Sequence, residues 1–441
     1  MARSQSACRK LGDYFKLSRG TTYKSQLLGL PGPVLLGLAS IARNGGFRRD
    51  SLRTYGGESP AKLLVHPGQL YLSLKDVTQA ADLLGAVARL PRDHLPGRLT
   101  QDTVRLDPIR DDVPMDYLYW VLRTPQYRQY CRSHSTGTTN LGLPREDWLA
   151  FGVPDPTPAR WLVVNALNAL DDKIEVNRRT SETLETMARA LFKSWFVDFD
   201  PVRVKAEGRK PTGMDAETAK LFPAEFVKSD LGPIPKGWTC DSLGSWVTAL
   251  SGGTPSKADG LLWGGELPWI SPKVMTALHA DEAEAFVTAR AIDKGTRLAP
   301  VGSTLVMVRG MGLHQEVRVS QTRREVTFNQ DVKALVPKGI EPSLLLFALL
   351  DAQDELLTKV ESSGHGTGKL PTEILLGHRL VMPPAEVQMR LGAYFDAIND
   401  RIASAREENR TLTAVRDLLL PRLLSGEVKV RGAEPLAEAV A

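Results

Sequence analysis

VVNALNALDDKIEVNRRTSETLETMARALFKSWF, residues 163–196, is the stretch whose reading decides the fold. Counting from Leu167, the steps land on Leu170, Ile174, Asn177, Ser181, Leu184, Ala188, Leu191 and Trp195. They alternate three and four without a break, the a/d rhythm of a coiled-coil seam. The rhythm returns 228 positions later at Phe395, Ile398, Ile402, Ala405, Asn409, Leu412, Arg416, Leu419 and Leu423. One helix duplicated in this way predicts two long helices in one chain, each following a globular segment.

The globular segments repeat as well. Cys8-x-x-Leu11-Gly12 recurs as Cys240-x-x-Leu243-Gly244, and Ser18-Arg-Gly-Thr21 with Lys24 recurs as Ser251-Gly-Gly-Thr254 with Lys257. Pro67-Gly68 matches Val301-Gly302, Gln101-Asp102 matches Gln330-Asp331, and Tyr117–Trp120 matches Leu344–Phe347. Gly137-Thr138 matches Gly366-Thr367, and Val153-Pro154 matches Met382-Pro383. An ordered series of this kind, ending in a matching helix, is an internal repeat.

Composition sets the class. At 441 residues the chain is too long for one ordinary domain. Its 42 % hydrophobic and 24 % charged content are those of a globular protein. The net charge of +5 is modest, but residues 1–60 hold ten Lys or Arg against three acids. That asymmetry leaves two readings open, a nucleic-acid face and a solvated surface. Cys8, Cys131 and Cys240 match no disulfide framework or zinc spacing and fit a reducing compartment. MARSQSACRKLGDYF has no apolar core for a signal peptide, and no uncharged apolar run reaches the roughly 18 residues of a membrane span. A cytoplasmic protein without a membrane partner is expected.

In order along the chain, residues 1–158 read as a mixed α/β domain. PVLLGLASI and KLLVHPGQLYLSLKD are bounded by Gly and Pro and predict strands. MDYLYWVLRTPQYRQYCRS has helical spacing with Pro125 as an interruption. Residues 159–197 form the first long helix. The stretch 198–237, dense in Pro, Gly and charge, reads as an extended connector. A second mixed α/β domain follows at 238–384, then the second long helix at 385–426, ended or kinked by Pro421. A tail covers 427–441. The fold class is therefore α/β (α+β): two similar domains separated by two long antiparallel helices, with a pseudo-twofold duplication.

Each helix is about 55 Å long at 1.5 Å per residue, the span of roughly fifteen base pairs of B-DNA. Neither can bury its stripe alone, and the other copy is the nearest partner. The expected seam is Leu167, Leu170, Ile174, Asn177, Ser181, Leu184 and Leu191 against Ile398, Ile402, Asn409, Leu412 and Leu419. Asn177, Ser181 and Asn409 weaken that seam but can fix its register. The outer faces, with Lys173, Arg178, Arg179 and Arg189, are left for a partner. Two non-identical readers on such a rod suit a split, non-palindromic DNA site.

No motif supplies a catalytic centre. SSGHGTGKLP fails the phosphate-loop pattern at Ser363 and Leu370. Asp171-x-Lys173 lies within the helix and reads as a solvated face. The seven histidines show no metal-ligand spacing. The best nucleic-acid contacts are the duplicated turns: Arg19, Thr21 and Lys24, then Thr254 and Lys257, where glycine lets the backbone approach a phosphate. Arg43, Arg48, Arg49, Lys75, Lys273 and Arg309 sit in or beside predicted loops as possible base or phosphate readers.

The chain resembles the specificity subunits of type I restriction–modification systems. The resemblance lies in LDDKIEVNRRTSETLETMARALFKSWFVDFDPVRVKAEGR, in GPIPKGW, in INDRIASAREENRTLTAVRDLLLPRLLSGE and in the paired LG…SRGT and LG…SGGTP openings. It implies two target-recognition domains, each reading half of a split double-stranded DNA site, with the helical pair as a spacer. It further implies two methyltransferase (modification) subunits as partners, joined by restriction/translocase subunits. S-adenosylmethionine, ATP and Mg would then belong to those partners, with no cofactor and no catalysis on this chain. The first turn, SRGTTYK, departs from the SGGTP form of the second, so equal roles for Lys24 and Lys257 do not follow. Two other readings compete: a coiled-coil adaptor that binds no DNA, and a self-contained metal-dependent nuclease.

Overall fold

The computed structural model describes residues 8–425, apart from 51, 79, 281 and 363–365. The expected tail at 427–441 and the last residue of the expected second helix, 426, lie outside the described residues. The chain divides into two compact units, one drawn from Met1–Val176 with Glu408–Ala441, the other from Asn177–Glu407. Each long helix contributes to both units.

In the first unit a four-stranded antiparallel sheet runs in the order Phe15–Arg19, Thr103–Pro108, Leu70–Ser73, Val87–Arg89. Leu17 stands opposite Leu106, and Leu72 opposite Val104 and Val87. Alternate side chains therefore enter one core. A smaller sheet pairs Val34–Leu36 parallel to Gly97–Leu99, which is antiparallel to Leu64–Val65. The expected helix around Pro125 is two helices, Met115–Val121 and Pro125–Ser133. Pro125 opens the second, and the Thr124 hydroxyl accepts from the Tyr127 amide as its cap. Trp120, Trp148, Tyr117 and Tyr127 are buried at the centre. Cys8–Lys10 pairs with Gly152–Pro154 and brings the start of the unit to the foot of the first long helix.

The second unit has the same strand order. Its four-stranded sheet runs Val247–Ser251, Val332–Pro337, Thr304–Met307, Val319–Gln321. Its second sheet again sets one parallel pair, Trp263–Ile270 with Val326–Phe328, beside an antiparallel Leu298–Ala299. Thr239–Ser242 pairs with Arg379–Met382, as Cys8–Lys10 does with Gly152–Pro154. Pro342–Asp351 is the counterpart of Met115–Val121, and its apolar residues are buried on all sides. The mixed helix-and-strand class expected from the sequence is observed.

The first long helix is Pro158–Phe192. Proline suits the first helical position because its missing amide would be unpaired there, and the Thr157 hydroxyl accepts from the Arg160 amide at 3.3 Å. At its far end the backbone widens into a π-turn, Lys193–Val197, and Phe199 adopts φ 54° before the next short helix. The second long helix, Ala385–Leu419, stops two residues before Pro421.

Within the first unit the two helices run antiparallel. Asn409 Nδ2 donates to the Ile174 carbonyl at 3.1 Å, Lys173 pairs with Glu408 at 3.3 Å, and Arg416 meets Asp171. Asp171, expected on a solvated face, is half-buried against the other helix, while Lys173, expected on an outer face, is exposed in its pair with Glu408. Arg189 also turns inward, donating to Gln353 of the second unit. Leu167 and Leu423 are fully buried in the first unit's core. In the second unit Phe192, Trp195 and Phe196 gather around Phe395, with ring centroids 6.0–6.1 Å apart. Asn177 is buried, while Ser181 donates to the Asn177 carbonyl of its own helix.

The connector is not extended. It forms the helices Asp200–Ala206 and Ala216–Lys220 and the hairpin Phe226–Ser229 with Gly232–Pro235. Phe199, Val202, Phe222 and Trp238 are buried in the second unit's core. High Pro and Gly content had masked these widely spaced apolar anchors.

Candidate nucleic-acid interface

The two repeated turns follow equivalent strands. In the first unit the turn leaves strand Phe15–Arg19 and passes the start of Thr103–Pro108. The Gly20 amide donates to the Thr103 carbonyl at 3.1 Å, and a Cβ on Gly20 would stand 2.0 Å from the Thr100 carbonyl oxygen. In the second unit the Gly253 amide donates to the Phe328 carbonyl at 2.9 Å, and a Cβ there would stand 2.0 Å from the Gly295 carbonyl oxygen. The sequence explained these glycines by the approach of a phosphate. The structure gives another cause, the close passage of the protein's own backbone.

Arg98 lies under the first turn with only 4 % of its surface exposed. Its Nη2 donates to the Thr21 hydroxyl at 3.0 Å and to the Thr22 carbonyl at 3.1 Å, while Nη1 and Nε donate to the Leu99 and Glu58 carbonyls. The guanidinium stands 4.9 Å from the centre of the buried Tyr55 ring. The Tyr55 hydroxyl accepts from the Lys24 amide at 3.4 Å. Arg19, Thr21 and Lys24 are exposed.

Different side chains hold the second turn. Trp269 Nε1 donates to the Gly253 carbonyl and Trp263 Nε1 to the Ser256 carbonyl, both at 3.0 Å. The indoles meet edge to face at 5.5 Å. The Thr254 hydroxyl donates to Gln330 Oε1 at 2.7 Å, and Lys333 Nζ donates to Ser251 Oγ. Thr254 and Lys257 are exposed. A polar groove lined by Ser251, Gly252, Gly295, Thr296 and Arg297 runs beside the turn.

The remaining candidate cations separate by pairing. Arg43 is exposed beside Asn44, Gly45 and Gly46, which all have positive φ. Arg309 is exposed on a short strand that pairs with Gly368–Lys369. The others have carboxylate partners: Arg48 with Asp50 at 2.7 Å, Arg49 with Asp93 and Glu175 at 2.8 and 2.9 Å, Lys75 with Asp102 at 3.3 Å, and Lys273 with Glu284 at 2.8 Å. The hydrogen bond from Arg48 holds the Asp50 carboxyl below its usual range. Arg49 ties its loop to the first long helix. Arg48, Lys75 and Lys273 stay exposed in these surface pairs, and only Arg49 is half-buried.

Sequence reasoning missed Arg98, Trp263, Trp269, Lys333 and Arg297. An arginine between Gly97 and Leu99 in an otherwise apolar strand was the available signal for the first. The tryptophans read only as strand residues. A further buried polar group is His279, whose carbonyl accepts from Arg406 on the second long helix. Burial, together with Arg406 and Arg323, pushes its pKa down to about 3 against the pull of Asp400. Among the described residues no group of three or more His, Cys, Asp or Glu is placed to hold a metal ion. No helix of the described residues is long and apolar enough to cross a membrane.

Comparison with known proteins bears out the resemblance read from the sequence. The chain is similar to the type I restriction enzyme HindI specificity subunit of Haemophilus influenzae, 27% identical over 370 residues that span 73% of this chain and 79% of the relative. It is 24% identical over 328 residues to the type I restriction enzyme MjaIX specificity subunit of Methanocaldococcus jannaschii, spanning 73% of this chain and 71% of that one. The crystal structure of a type I restriction–modification S subunit from M. genitalium superposes with a TM-score of 0.55 at 14% identity, over 96% of this chain and 97% of that one. That likeness shows the shared fold. No family model matches the chain.

Proposed function

We infer that this chain, a member of the specificity-subunit family of type I restriction–modification systems, selects the DNA sequence on which such a system acts. The observation that carries the reading is the recurrence of one strand order in two units, each carrying after its equivalent strand a held turn that presents Thr and Lys. Two similar but non-identical units suit two different short sequences. Double-stranded DNA is the ligand, and residues 1–158 and 238–384 are the two readers.

Among the exposed candidates, Arg19, Lys24, Arg43, Lys257 and Arg309 supply charge, Thr21 keeps a hydroxyl proton to donate, and Thr254, which donates to Gln330, keeps an acceptor, groups of the kinds that bind phosphates and base edges. The long helices fix the spacing between the readers and offer docking faces to two modification subunits, with restriction subunits joining the assembly. Catalysis and its cofactors belong to those partners, as the family resemblance implies, and this chain supplies sequence choice. Site-resolved methylation by the chain co-expressed with its modification partner tests the reading. Exchanging 1–158 for the matching segment of another subunit should change one half of the methylated sequence and preserve the other. Change in both halves, or in neither, would sink the two-reader reading.

A further inference from the structure

The two turns are equivalent in the fold, yet the side chains that hold them have nothing in common. In the first, a buried arginine grips Thr21 and Thr22, and a buried tyrosine accepts the Lys24 amide. In the second, two indoles hold the carbonyls of Gly253 and Ser256. Those carbonyls immediately precede Thr254 and Lys257. Each clamp therefore fixes the Thr and the Lys of its turn, Thr21 with Lys24 and Thr254 with Lys257. Tyr23 adds an edge contact to Tyr55 at 6.2 Å, and Gln330 Oε1 accepts a hydrogen bond from the Thr254 hydroxyl.

A turn pinned at two points holds its outward side chains in one pose, and hydrogen-bond readout loses force steeply as that pose drifts. Deep burial explains why the first clamp is rigid. Arg98 donates to two turn atoms, to the strand carbonyl of Leu99 and to the loop carbonyl of Glu58, and its planar fork lies against an aromatic face. The second clamp is half-buried, and its stiffness comes from the indole pair.

We propose that Arg98 with Tyr55 in the first unit, and Trp263 with Trp269 in the second, are specificity-determining positioning residues. They set which bases each half of the site prefers by holding the turns, without touching DNA themselves. The proposal rests on the two-reader reading above.

The test uses the full chain in complex with its modification subunit, on DNA randomised at both half-sites, with methylation read by sequencing. Trp269→Phe keeps the ring and removes the indole donor. It should blunt base preference in one half by about ten-fold at the position its turn reads, with the other half unchanged. Arg98→Gln should blunt the opposite half. Tyr55→Phe, which loses only the hydroxyl, covers the case in which Arg98→Gln fails to fold. A merely structural role would lower methylation of every sequence alike, so a uniform loss with both preferences still sharp overturns the proposal. Exchange of 238–384 runs in parallel: if it shifts neither half, the two-reader reading itself has failed. If it shifts one half while Trp269→Phe shifts none, only the clamp is wrong.

Discussion

Asp171 Oδ1 accepts from Arg416 Nη1 at 3.1 Å, and the arginine side chain is only 15% exposed. The contact joins the first long helix to the second inside the first unit. The positions 228 residues away are Asn399 and Ala188, so the second unit cannot form this pair. Two helices that share one periodic pattern are thus held by different chemistry at their two ends.

Replacing Asp171 by Ala should lower the stability of the first unit by about 1–3 kcal/mol, the range for a charged hydrogen bond lost at a largely buried partner. Arg416 keeps Asp417 at 3.0 Å, which limits the loss. Hydrogen exchange of the amides between 164 and 176 measures it. Unchanged protection would mean that solvent already screens the pair.

At the other end, Asn399 is 1% exposed, and neither its amide nitrogen nor its oxygen has a hydrogen-bond partner among the described residues. Asn399→Leu keeps the branched shape and removes that desolvation cost, which outweighs the crowding by its larger methyls, and should raise stability by about 1 kcal/mol. Denaturant unfolding followed by tryptophan fluorescence reports it. A drop in the midpoint would count against the assignment of Asn399 as an unsatisfied group.

The helices and the recurring plan of the units were legible because both are written locally, in steps of three and four and in short repeated motifs. What holds the turns was not legible. Arg98 reaches Thr21 across 77 positions, and Lys24 and Tyr55 are 31 apart. Neither spacing leaves a periodic trace. Most strands of the first unit have only two to four residues, too short for alternation to show. The pairing of Arg49 with Asp93 and Glu175 was hidden for the same reason, and the residue read as a possible base or phosphate reader.

Gly20→Ala and Gly253→Ala should each be costly, by about 1–3 kcal/mol or more, because the added methyl must enter a 2.0 Å approach to a backbone carbonyl. The thermal unfolding of each variant checks this. Wild-type stability would show that the strands can part at no cost, and would remove the packing explanation for the repeated glycines.

His279 gives a pH signature. Its folded pKa of about 3 lies below the ordinary 6.5, so the folded state favours the neutral ring. The associated stability is complete above pH 6.5 and is lost as pH falls from there toward 3, with a limiting slope of about 1.4 kcal/mol per pH unit. His279→Gln should flatten that part of the stability profile. Equal slopes for both proteins between pH 6.5 and 5 would show that the ring titrates normally.

Arg43 and Arg49 stand six residues apart and should behave oppositely. Arg43 is exposed, with no ion-pair partner among the described residues, so Arg43→Ala should weaken DNA binding by the assembled complex and reduce the salt slope of log K by about one. Arg49 is held by Asp93 and Glu175 and lies 5.7 Å from the Phe47 ring centre. Arg49→Ala should leave the salt slope unchanged and instead cost the first unit about 1 kcal/mol. Binding titrations across a salt series, with unfolding curves for the same proteins, separate the two. An Arg49 variant with the shallower slope would mean that the ion pairs open when DNA arrives, and that loop charge rather than pairing decides which arginines reach the backbone.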